Sequence, residues 1–278
     1  MSDSLSTRVV VCLPGGMAEE DQWVREAELR ALTGREEDWL VRHPATPSAL
    51  SVTQLLSGCL LRLGGHAVTR DGVRQLLVGD RDFLVLTLRQ LTMGENFHVV
   101  VSCPTCNKKI DVTFSTTNVP IEKPGTMQAI YELCIAPGSP RERTVRFRLP
   151  TGADQEAVLG SPMETAVEVL LDRCVIDDGG LPLNEGERVL LGDAIERHAP
   201  KVELELALKC PECEQEFVYP FDITAFFLQE LRSNGRHLLR EIHSLAFYYH
   251  WSEADILNLD RERRRAYLSL LTDELRGT

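Results

Sequence analysis

Two Cys-Pro-x-Cys motifs are the residues of this sequence best suited to chemistry. They are Cys103/Cys106 and Cys210/Cys213. A Cys-x-x-Cys turn presents two thiolates from one tight loop, and a structural zinc ion takes four ligands in a tetrahedron. Two such turns therefore predict one four-cysteine site for Zn2+. Because four sulfurs leave no position for water or substrate, we expect the metal to be structural and not catalytic.

Other interpretations of these motifs stay open at this point. The turns could have lost their metal, or each could bind one with other ligands, such as the nearby His98. They could also form a redox dithiol, but a thioredoxin-like Cys-x-x-Cys precedes a helix, whereas strand patterns follow both turns here. The long interval between Cys106 and Cys210 is unusual for a zinc ribbon.

An internal repeat explains that interval. Leu55–Gly65 (LLSGCLLRLGG) matches Leu170–Gly180 (LLDRCVIDDGG) in its Leu-Leu, Cys and Gly-Gly positions. Farther on, Leu77–Asp80 matches Leu190–Asp193, and one Cys-Pro-x-Cys turn matches the other. Three matches in the same order predict a duplicated unit. Each copy would supply one turn, and a pseudo-twofold arrangement would bring both turns to one metal.

Each copy reads as two helices followed by a β-hairpin with the Cys-Pro-x-Cys turn at its tip, and we name this hairpin a knuckle. Leu84, Leu88 and Leu91 follow a helical spacing, and residues 202–208 largely alternate between apolar and acidic side chains. The predicted elements are Val52–Leu63, Asp80–Thr92, Phe97–Ser102 and Ile110–Phe114 in the first copy, and Pro162–Cys174, Glu187–His198, Val202–Leu208 and Glu216–Phe221 in the second.

Further elements flank the two copies. After Asp222 the pattern is all helical, and Ser252 and Asp260 read as later helix caps. The other predicted elements are a strand over Arg8–Leu13 and a helix over Glu19–Leu32 at the N-terminus, and an inserted hairpin of Ala129–Ile135 and Thr144–Leu149 between the copies.

These patterns together predict an α+β protein. It has a duplicated helix-helix-β-hairpin unit with zinc-ribbon-like knuckles, an inserted hairpin and a C-terminal α-helical segment. The predicted boundaries are residues 1–50 for the N-terminal strand and helix, 51–119 for the first knuckle unit, 120–150 for the inserted hairpin, 151–221 for the second knuckle unit and 222–278 for the helical tail.

Charge and composition limit the kind of partner. The chain has a formal net charge of −12, which opposes nucleic-acid binding because that binding neutralises phosphates. The sequence has no apolar run long enough for a membrane span, and Met1 to Thr7 lack the basic start of a signal peptide. Phosphate-binding loops and common catalytic motifs are absent. We therefore expect a bacterial cytoplasmic protein that is not an enzyme and binds no nucleic acid, membrane or small-molecule substrate.

The C-terminal segment holds a basic cluster and an aromatic run. The cluster reads either as a solvated helix face with salt bridges to Glu262, or as a docking site for an acidic protein surface or for nucleic acid. We interpret the run Phe247–Trp251 as core between two helices, part of which anchors a partner. The candidate partner-binding residues are Tyr249, Trp251, Arg261, Arg263, Arg264, Arg265 and Tyr267.

The same segment resembles a known family. The run Ile242–Leu257 (IHSLAFYYHWSEADIL), followed by Leu259 and Arg263–Tyr267, is similar to the tail of the T4-like phage baseplate hub assembly proteins. Upstream, Leu32–Glu37 and the stretch Gly79–Thr92 resemble longer, zinc-knuckle members from phage and contractile injection system gene clusters. The small phage members lack the Cys-Pro-x-Cys units, so their fold does not carry over to the first 220 residues.

The resemblance implies a structural or assembly role without catalysis. The implied partners are other baseplate or hub proteins, the spike or the tape-measure protein, and the implied location is the bacterial cytoplasm or a phage tail or tail-like particle. Two other classes compete with this reading. One is a zinc-ribbon nucleic-acid-binding regulator, which the negative charge disfavours. The other is a metalloenzyme, which would need a ligand other than cysteine and an open metal position.

Overall fold

The fold comes from a computed structural model that describes residues 7–19, 22–138 and 142–277. The first six residues, on which the expectation of no signal peptide largely depended, lie outside these ranges. The first unit, residues 8–115, begins with a β-hairpin and ends with the first knuckle. Its elements are β1 (Arg8–Glu19), β2 (Gln22–Arg30), α1 (Gly34–Arg42), α2 (Ser48–Cys59), β3 (Leu60–Leu63), β4 (His66–Ala67), α3 (Arg70–Gln75), α4 (Val78–Met93), β5 (Asn96–Ser102) and β6 (Lys109–Ser115).

A short 3-10 turn and strand β7 (Ile121–Glu122) lead to the second unit, residues 131–221. This unit also begins with a β-hairpin and ends with a knuckle. Its elements are β8 (Tyr131–Ile135), β9 (Arg143–Phe147), α5 (Gly152–Ala157), α6 (Met163–Cys174), β10 (Val175–Asp177), α7 (Glu185–His198), β11 (Lys201–Val202), β12 (Leu204–Lys209) and β13 (Glu216–Phe221).

The described part of the tail consists of four helices, and their predicted caps are confirmed. The side chain of Asp222 accepts a hydrogen bond from Ala225 N, and Ser252 accepts one from Asp255 N, as N-caps do. Asp260 does the same in front of the last helix. The tail helices are α8 (Ile223–Ser233), α9 (Gly235–Tyr249), α10 (Glu253–Leu257) and α11 (Arg261–Gly277).

The predicted helix over Glu19–Leu32 is wrong, because this segment is strand β2 of the N-terminal hairpin. Ala27 and Leu29 are fully buried and alternate with more exposed charged neighbours, which is the period of a strand. Strand β1 also continues past the predicted stop at Pro14-Gly-Gly16. A register shift between Cys12 and Met17 accommodates these three residues as an irregularity in the hairpin.

The inserted hairpin and the first predicted helix also need correction. Strand β9 pairs with β10, so β8–β9 belongs to a three-stranded sheet of the second unit and is not a separate insertion. The boundary predicted at residue 150 therefore cuts through a packed unit. Helix α2 ends at Cys59, and Leu60–Leu63 forms strand β3 beside β2, so Gly64 and Gly65 make a strand turn and not a helix cap.

The same side-chain contacts recur where the hairpin of each unit meets its first helix. Residues 30–36 (RALTGRE) and 148–154 (RLPTGAD) occupy this place in the two units. In each, the acidic residue accepts the N–H of the threonine that caps the helix, and pairs with the arginine. The shortest distances of these ion pairs are 2.8 Å at Glu36 and 2.6 Å at Asp154. The recurrence supports a duplication, which stays a prediction about the chain's origin.

The structure also shifts one of the sequence matches. Helices α4 and α7 begin at Val78 and Glu185, and from these residues to the ends of the knuckles the two units align without a gap. The segment Val78–Arg81 (VGDR) then matches Glu185–Arg188 (EGER), which replaces the match with Leu190–Asp193. In this alignment the buried Leu84 corresponds to the buried Leu191.

Candidate metal centre and the docked tail

The four knuckle sulfurs lie together, all within 4.8 Å of one another. The Sγ atoms of Cys103 and Cys213 are 3.7 Å apart, and those of Cys106 and Cys210 are 3.6 Å apart. Four sulfurs placed tetrahedrally at the usual zinc–sulfur bond length are about 3.8 Å from one another. The arrangement therefore fits a single tetrahedral ion shared by both knuckles.

The two turns present their sulfurs through the same backbone conformation. In each turn the first cysteine donates its N–H to the carbonyl of the residue five positions later, at 2.9 Å in both cases. The residue after the second cysteine is left-handed, with φ of 56° at Asn107 and 57° at Glu214. This reversal turns the chain back into strands β6 and β13 while both thiols of a turn stay on one side.

An aromatic cluster joins the bases of the two knuckles. Phe97 stacks on Phe114 within the first hairpin, with ring centroids 4.8 Å apart. Phe221 of the second hairpin meets Phe114 edge-on at 5.1 Å, and Phe226 of α8 packs against Phe221 at 5.2 Å. Such pairs add to the apolar burial. Packing and the sulfur cluster therefore hold the same interface from opposite ends of the hairpins.

The sulfurs differ in how readily they lose a proton. Backbone N–H groups of Cys106 and Thr105 point at the sulfur of Cys103 and lower the pKa of its thiol to about 6, although partial burial opposes them. At Cys213 the N–H of Gln215 lowers the pKa, but burial and the other three sulfurs outweigh it and raise the pKa to about 12. The thiol of Cys103 therefore loses its proton more readily than that of Cys213.

The donor set fits zinc chemically. Four thiolates in a tetrahedron are the ligands of structural zinc sites, and they leave the ion without an open position. Cys103 and Cys210 are buried and Cys213 is exposed, so the cluster lies at the surface end of the knuckles. His98 is not part of the group, since it is exposed on β5 and its Nδ1 lies 3.1 Å from Thr113 Oγ1.

Two of the four arginines proposed to bind a partner are buried inside the chain. Arg264 is fully buried and donates to Glu37 at 2.6 Å, to Glu241 at 2.8 Å and to the carbonyl of Leu259 at 2.8 Å. Arg261 donates to the other oxygen of Glu37 at 3.0 Å. The prediction that these two arginines bind a partner is therefore corrected, because they fasten the tail to α1.

The remaining candidates lie at or near the surface of the tail. Tyr249, Trp251 and Tyr267 form a partly buried ring cluster, in which the Trp251 and Tyr267 centroids are 4.8 Å apart. The guanidinium of Arg263 lies 5.0 Å from the Tyr267 ring centroid, within cation–π range. Arg263 and Arg265 are exposed.

The aromatic run is core only in part. Phe247 and Tyr248 remain exposed, at 64% and 46%, so the interpretation of these two residues as core is wrong. Phe247 lies on the side of α9 opposite the face where Leu238, Ile242 and Leu245 are buried, and Tyr248 lies at the edge of that face.

Sequence reasoning missed the two residues of α1 that receive the tail, Glu37 and Gly34. The N–H of Gly34 donates to the Leu259 carbonyl at 3.0 Å, and a Cβ at Gly34 would lie 3.0 Å from the Cα of Leu257. A side chain at this position would force the neighbouring backbone to move. The Thr-Gly-x-acid motif, which recurs at Thr151, could have found Gly34, but its acid is Glu36 and no local signal marks Glu37.

Comparisons with known proteins agree with the resemblance in part. The family model described as T4 bacteriophage base plate protein matches residues 8–175. This range holds the first unit and the second unit through helix α6. It stops before the second knuckle and before the tail that resembles the hub assembly proteins. No curated protein and no solved structure matches the chain.

Within the described residues, no helix is long and apolar enough to cross a membrane.

The matched range settles the family. The match covers well over half of the 278 residues and both units contribute to it. The chain therefore belongs to the T4 bacteriophage base plate protein family.

Proposed function

We propose that this protein is a structural or assembly component of the central hub region of a baseplate, in a phage tail or a phage-tail-like contractile injection system. The observation that carries the proposal is the family match over residues 8–175. The assignment to the hub rests on the resemblance of the run Ile242–Leu257 to the hub assembly proteins. The proposed direct partners are other hub or baseplate proteins, the spike or the tape-measure protein.

We further propose that the four knuckle cysteines hold one structural Zn2+. The support is the fit of the sulfur spacing, 3.6 and 3.7 Å across the two knuckles, to a tetrahedral ion. A zinc ion there would clamp the tips of hairpins that already share an aromatic base. We propose no catalysis, because four thiolates would leave the ion without a site for substrate or activated water.

The position of the tail supports an assembly role. Its helix α11 is fastened to α1 by the ion pairs of Glu37 with Arg261 and Arg264, so the tail is held on the body. Exposed side chains of Phe247 and Tyr248 on α9, and of Arg265 on α11, remain available for contacts with other proteins.

Particle composition tests the proposal. Mature particles and assembly intermediates are purified from producing cells and analysed by mass spectrometry, and particle assembly is followed in a deletion strain. We expect the protein in one of these fractions and a loss of complete baseplates in the deletion strain. Absence from both fractions, together with normal assembly in the deletion strain, would refute the proposed role.

The metal is tested separately on the purified protein. We expect one zinc per chain by elemental analysis and an all-sulfur coordination shell by X-ray absorption. A shell with nitrogen or oxygen ligands, or a protein that folds with equal stability after complete chelation, would refute the structural zinc without affecting the baseplate assignment.

A further inference from the structure

The first unit uses helices α2 and α4 to receive the start of helix α5 from the second unit. Leu77 forms an isolated β-bridge with Thr151, and the N–H of Gly152 donates to the Leu76 carbonyl at 3.0 Å. The buried guanidinium of Arg81 lies over this glycine, so that a Cβ at Gly152 would come within 2.0 Å of it. A Thr-Gly helix start is thus the element that fits this face.

The tail receives the start of helix α1 in the same way. Asp260 forms an isolated β-bridge with Thr33, and the N–H of Gly34 donates to the Leu259 carbonyl at 3.0 Å. The buried arginine again follows the bridging residue by four positions, and Arg264 Nη1 would lie 3.1 Å from a Cβ at Gly34. A leucine carbonyl and an arginine five residues later therefore dock a Thr-Gly helix start at two places.

The second unit carries the same pair of docking groups, at Leu183 and Arg188. These residues correspond to Leu76 and Arg81 when the gap-free alignment of α4 with α7 is continued two residues upstream of both helices. In the described part of the chain, no bridge or backbone hydrogen bond reaches the Leu183 carbonyl. Arg188 is only partly buried and makes ion pairs with the exposed Asp172 and Glu168 of α6. The groups are present, and no helix start among the described residues is docked on them.

The apolar side chains around these groups are exposed where their counterparts are buried. Val167 of α6 is 51% exposed, whereas Val52, at the same position of α2, is 4% exposed. Met163 and Val189 are 80% and 61% exposed on the same two helices. Surface patches of this kind mark interaction sites.

We propose that the α6–α7 face of the second unit, defined by Met163, Val167, Leu183, Arg188 and Val189, docks a glycine-started helix of another protein. The glycine would lie beside Arg188 with its N–H toward the Leu183 carbonyl, as Gly152 and Gly34 do at the two occupied faces. The inference stands on the geometry of the repeated faces and does not depend on the baseplate proposal.

The charges of the face define the occupant further. At the first unit the docked helix brings Glu156, which accepts hydrogen bonds from Thr53 at 2.5 Å and from Arg74 at 2.8 Å. The counterpart of Thr53 is Glu168, and the second unit has no counterpart of α3, the helix that carries Arg74. The position is therefore acidic in the second unit, whereas it is polar and basic in the first. The occupant carries lysine or arginine in its second helical turn, together with an apolar residue that covers Val167.

A second copy of this chain does not fit these requirements. Its two Thr-Gly helix starts are already docked, at Gly34 and Gly152, and Gly235, which begins α9, is buried against Val41. Both starts also carry acidic residues in the second turn, Asp38 and Glu156, which would face Glu168. The occupant is thus a different protein with a basic, glycine-started helix.

Site-specific photocrosslinking tests this surface. A benzophenone amino acid replaces Val167 or Val189 in the full-length chain, in the cells that naturally produce the protein, and cross-linked peptides are mapped by mass spectrometry. We expect both positions to cross-link to one glycine-started helix with lysine or arginine in its second turn. Cross-links to a second copy, to a different kind of element, or to no protein would overturn the proposal.

Charge substitutions provide the second measurement. Val167→Glu and Val189→Glu are exposed positions, so folding should be unaffected, and we expect recovery of the partner with the purified protein to fall about tenfold or more. The matched control is Val218→Glu, 58% exposed on β13 of the other end of the unit, which should leave recovery unchanged. Equal recovery of the partner with all three variants would refute the proposed docking surface, even where the protein itself is found in particles.

Discussion

Helices α2 and α6 occupy the same place in the two units, and each follows a proline at its N-cap. Yet α2 buries six of its twelve residues and α6 buries two. Helices α3, α5 and α8 pack on α2. The second unit has no counterpart of α3, because a short loop connects β10 directly to α7.

The difference shows that neighbours decide what a repeated helix buries. A valine stands at the same position in both helices, as Val52 and Val167, and only the first is covered. The first unit is closed on its outer faces by the second unit and the tail, whereas the second unit keeps one face open. The duplicated element order thus yields one unit that serves as a core and one that is suited to contact another protein.

Loss of one knuckle sulfur should lower the free energy of unfolding more than any other change proposed below. We expect Cys106→Ser and Cys213→Ser to lose zinc and to lower the free energy of unfolding by at least about 5 kcal/mol each, since a structural zinc ion contributes about 10–16 kcal/mol. Urea unfolding and zinc content measure this, with Cys134→Ser, an exposed cysteine outside the cluster, as control. A clearly milder loss for Cys213→Ser would argue against one ion shared by both units.

Alanine substitution of the three equivalent arginines should lower the free energy of unfolding more, the more deeply the arginine is buried. Arg264 and Arg81 are almost fully buried, and Arg188 is 26% exposed. We expect Arg264→Ala to cost about 3–5 kcal/mol, because it leaves the buried carboxylate of Glu37 with one partner fewer. Arg81→Ala should follow closely, and Arg188→Ala should cost less than about 1 kcal/mol.

Chemical denaturation and hydrogen exchange can separate these effects. In Arg264→Ala, exchange should increase first in α10 and α11, where the tail leaves α1. An equal loss of stability for all three variants would contradict the view that Arg188, the docking arginine of the second unit, has no helix start docked beside it.

Alanine substitution at two equivalent glycines should change the free energy of unfolding in opposite directions. A Cβ at Gly79 would lie 1.9 Å from the carbonyl oxygen of Pro200, whereas at Gly186 the nearest atom is Asn184 Oδ1 at 3.5 Å. We expect Gly79→Ala to cost about 2–3 kcal/mol, because backbone must move. Gly186→Ala should stabilise by roughly 0.5–1 kcal/mol, because alanine favours the helix. Thermal unfolding of both variants checks the pair, and a loss at Gly186 would show that this helix start is already packed.

The smallest expected effect is a pH dependence of stability that comes from Asp80 in the first unit. Burial raises the pKa of Asp80 to about 6, although the N–H groups of Gly15 and Gly16 donate to its carboxylate and oppose the shift. The folded state therefore holds this proton more tightly than the unfolded chain does. Its contribution to stability is complete below about pH 4 and is lost as the pH rises through about 6.

Comparison with Asp80→Asn isolates that contribution. Between pH 7.5 and pH 5.5 the unchanged protein should gain about 1 kcal/mol over the variant, measured by urea unfolding with zinc in excess. Asp177→Asn, at an exposed position, serves as the control with no such gain. A gain of equal size in Asp80→Asn would assign the pH dependence to other groups.

The knuckles and the tail caps could be predicted from the sequence because their signals are local. A Cys-Pro-x-Cys turn and a capping Asp222 act within a few residues, and both are confirmed. The alternation of strand β2 was missed because Val24, Ala27 and Ala31 also fit a helical spacing, and only pairing with β1 decides between the two. Partners distant in the chain leave no local signal.

The docked tail illustrates this limit. Arg264 reads as a surface charge within its own helix, and only the fold places it beside Glu37. The repeated Thr-Gly-x-acid motif is in the sequence, but its meaning depends on which leucine carbonyl and arginine it meets. The exposed face of the second unit could likewise not be read from α6 alone.

The ion pair of Glu37 and Arg264 joins positions 227 residues apart. At a synthesis rate of about 5–20 residues per second, the ribosome makes Arg264 roughly 10–50 seconds after Glu37. During that interval the start of α1 is exposed on the nascent chain, and its carboxylate stays hydrated until α10 and α11 arrive. Helix α1 is therefore made early but gains its buried partners late, because the contact can form only after Arg264 has been translated.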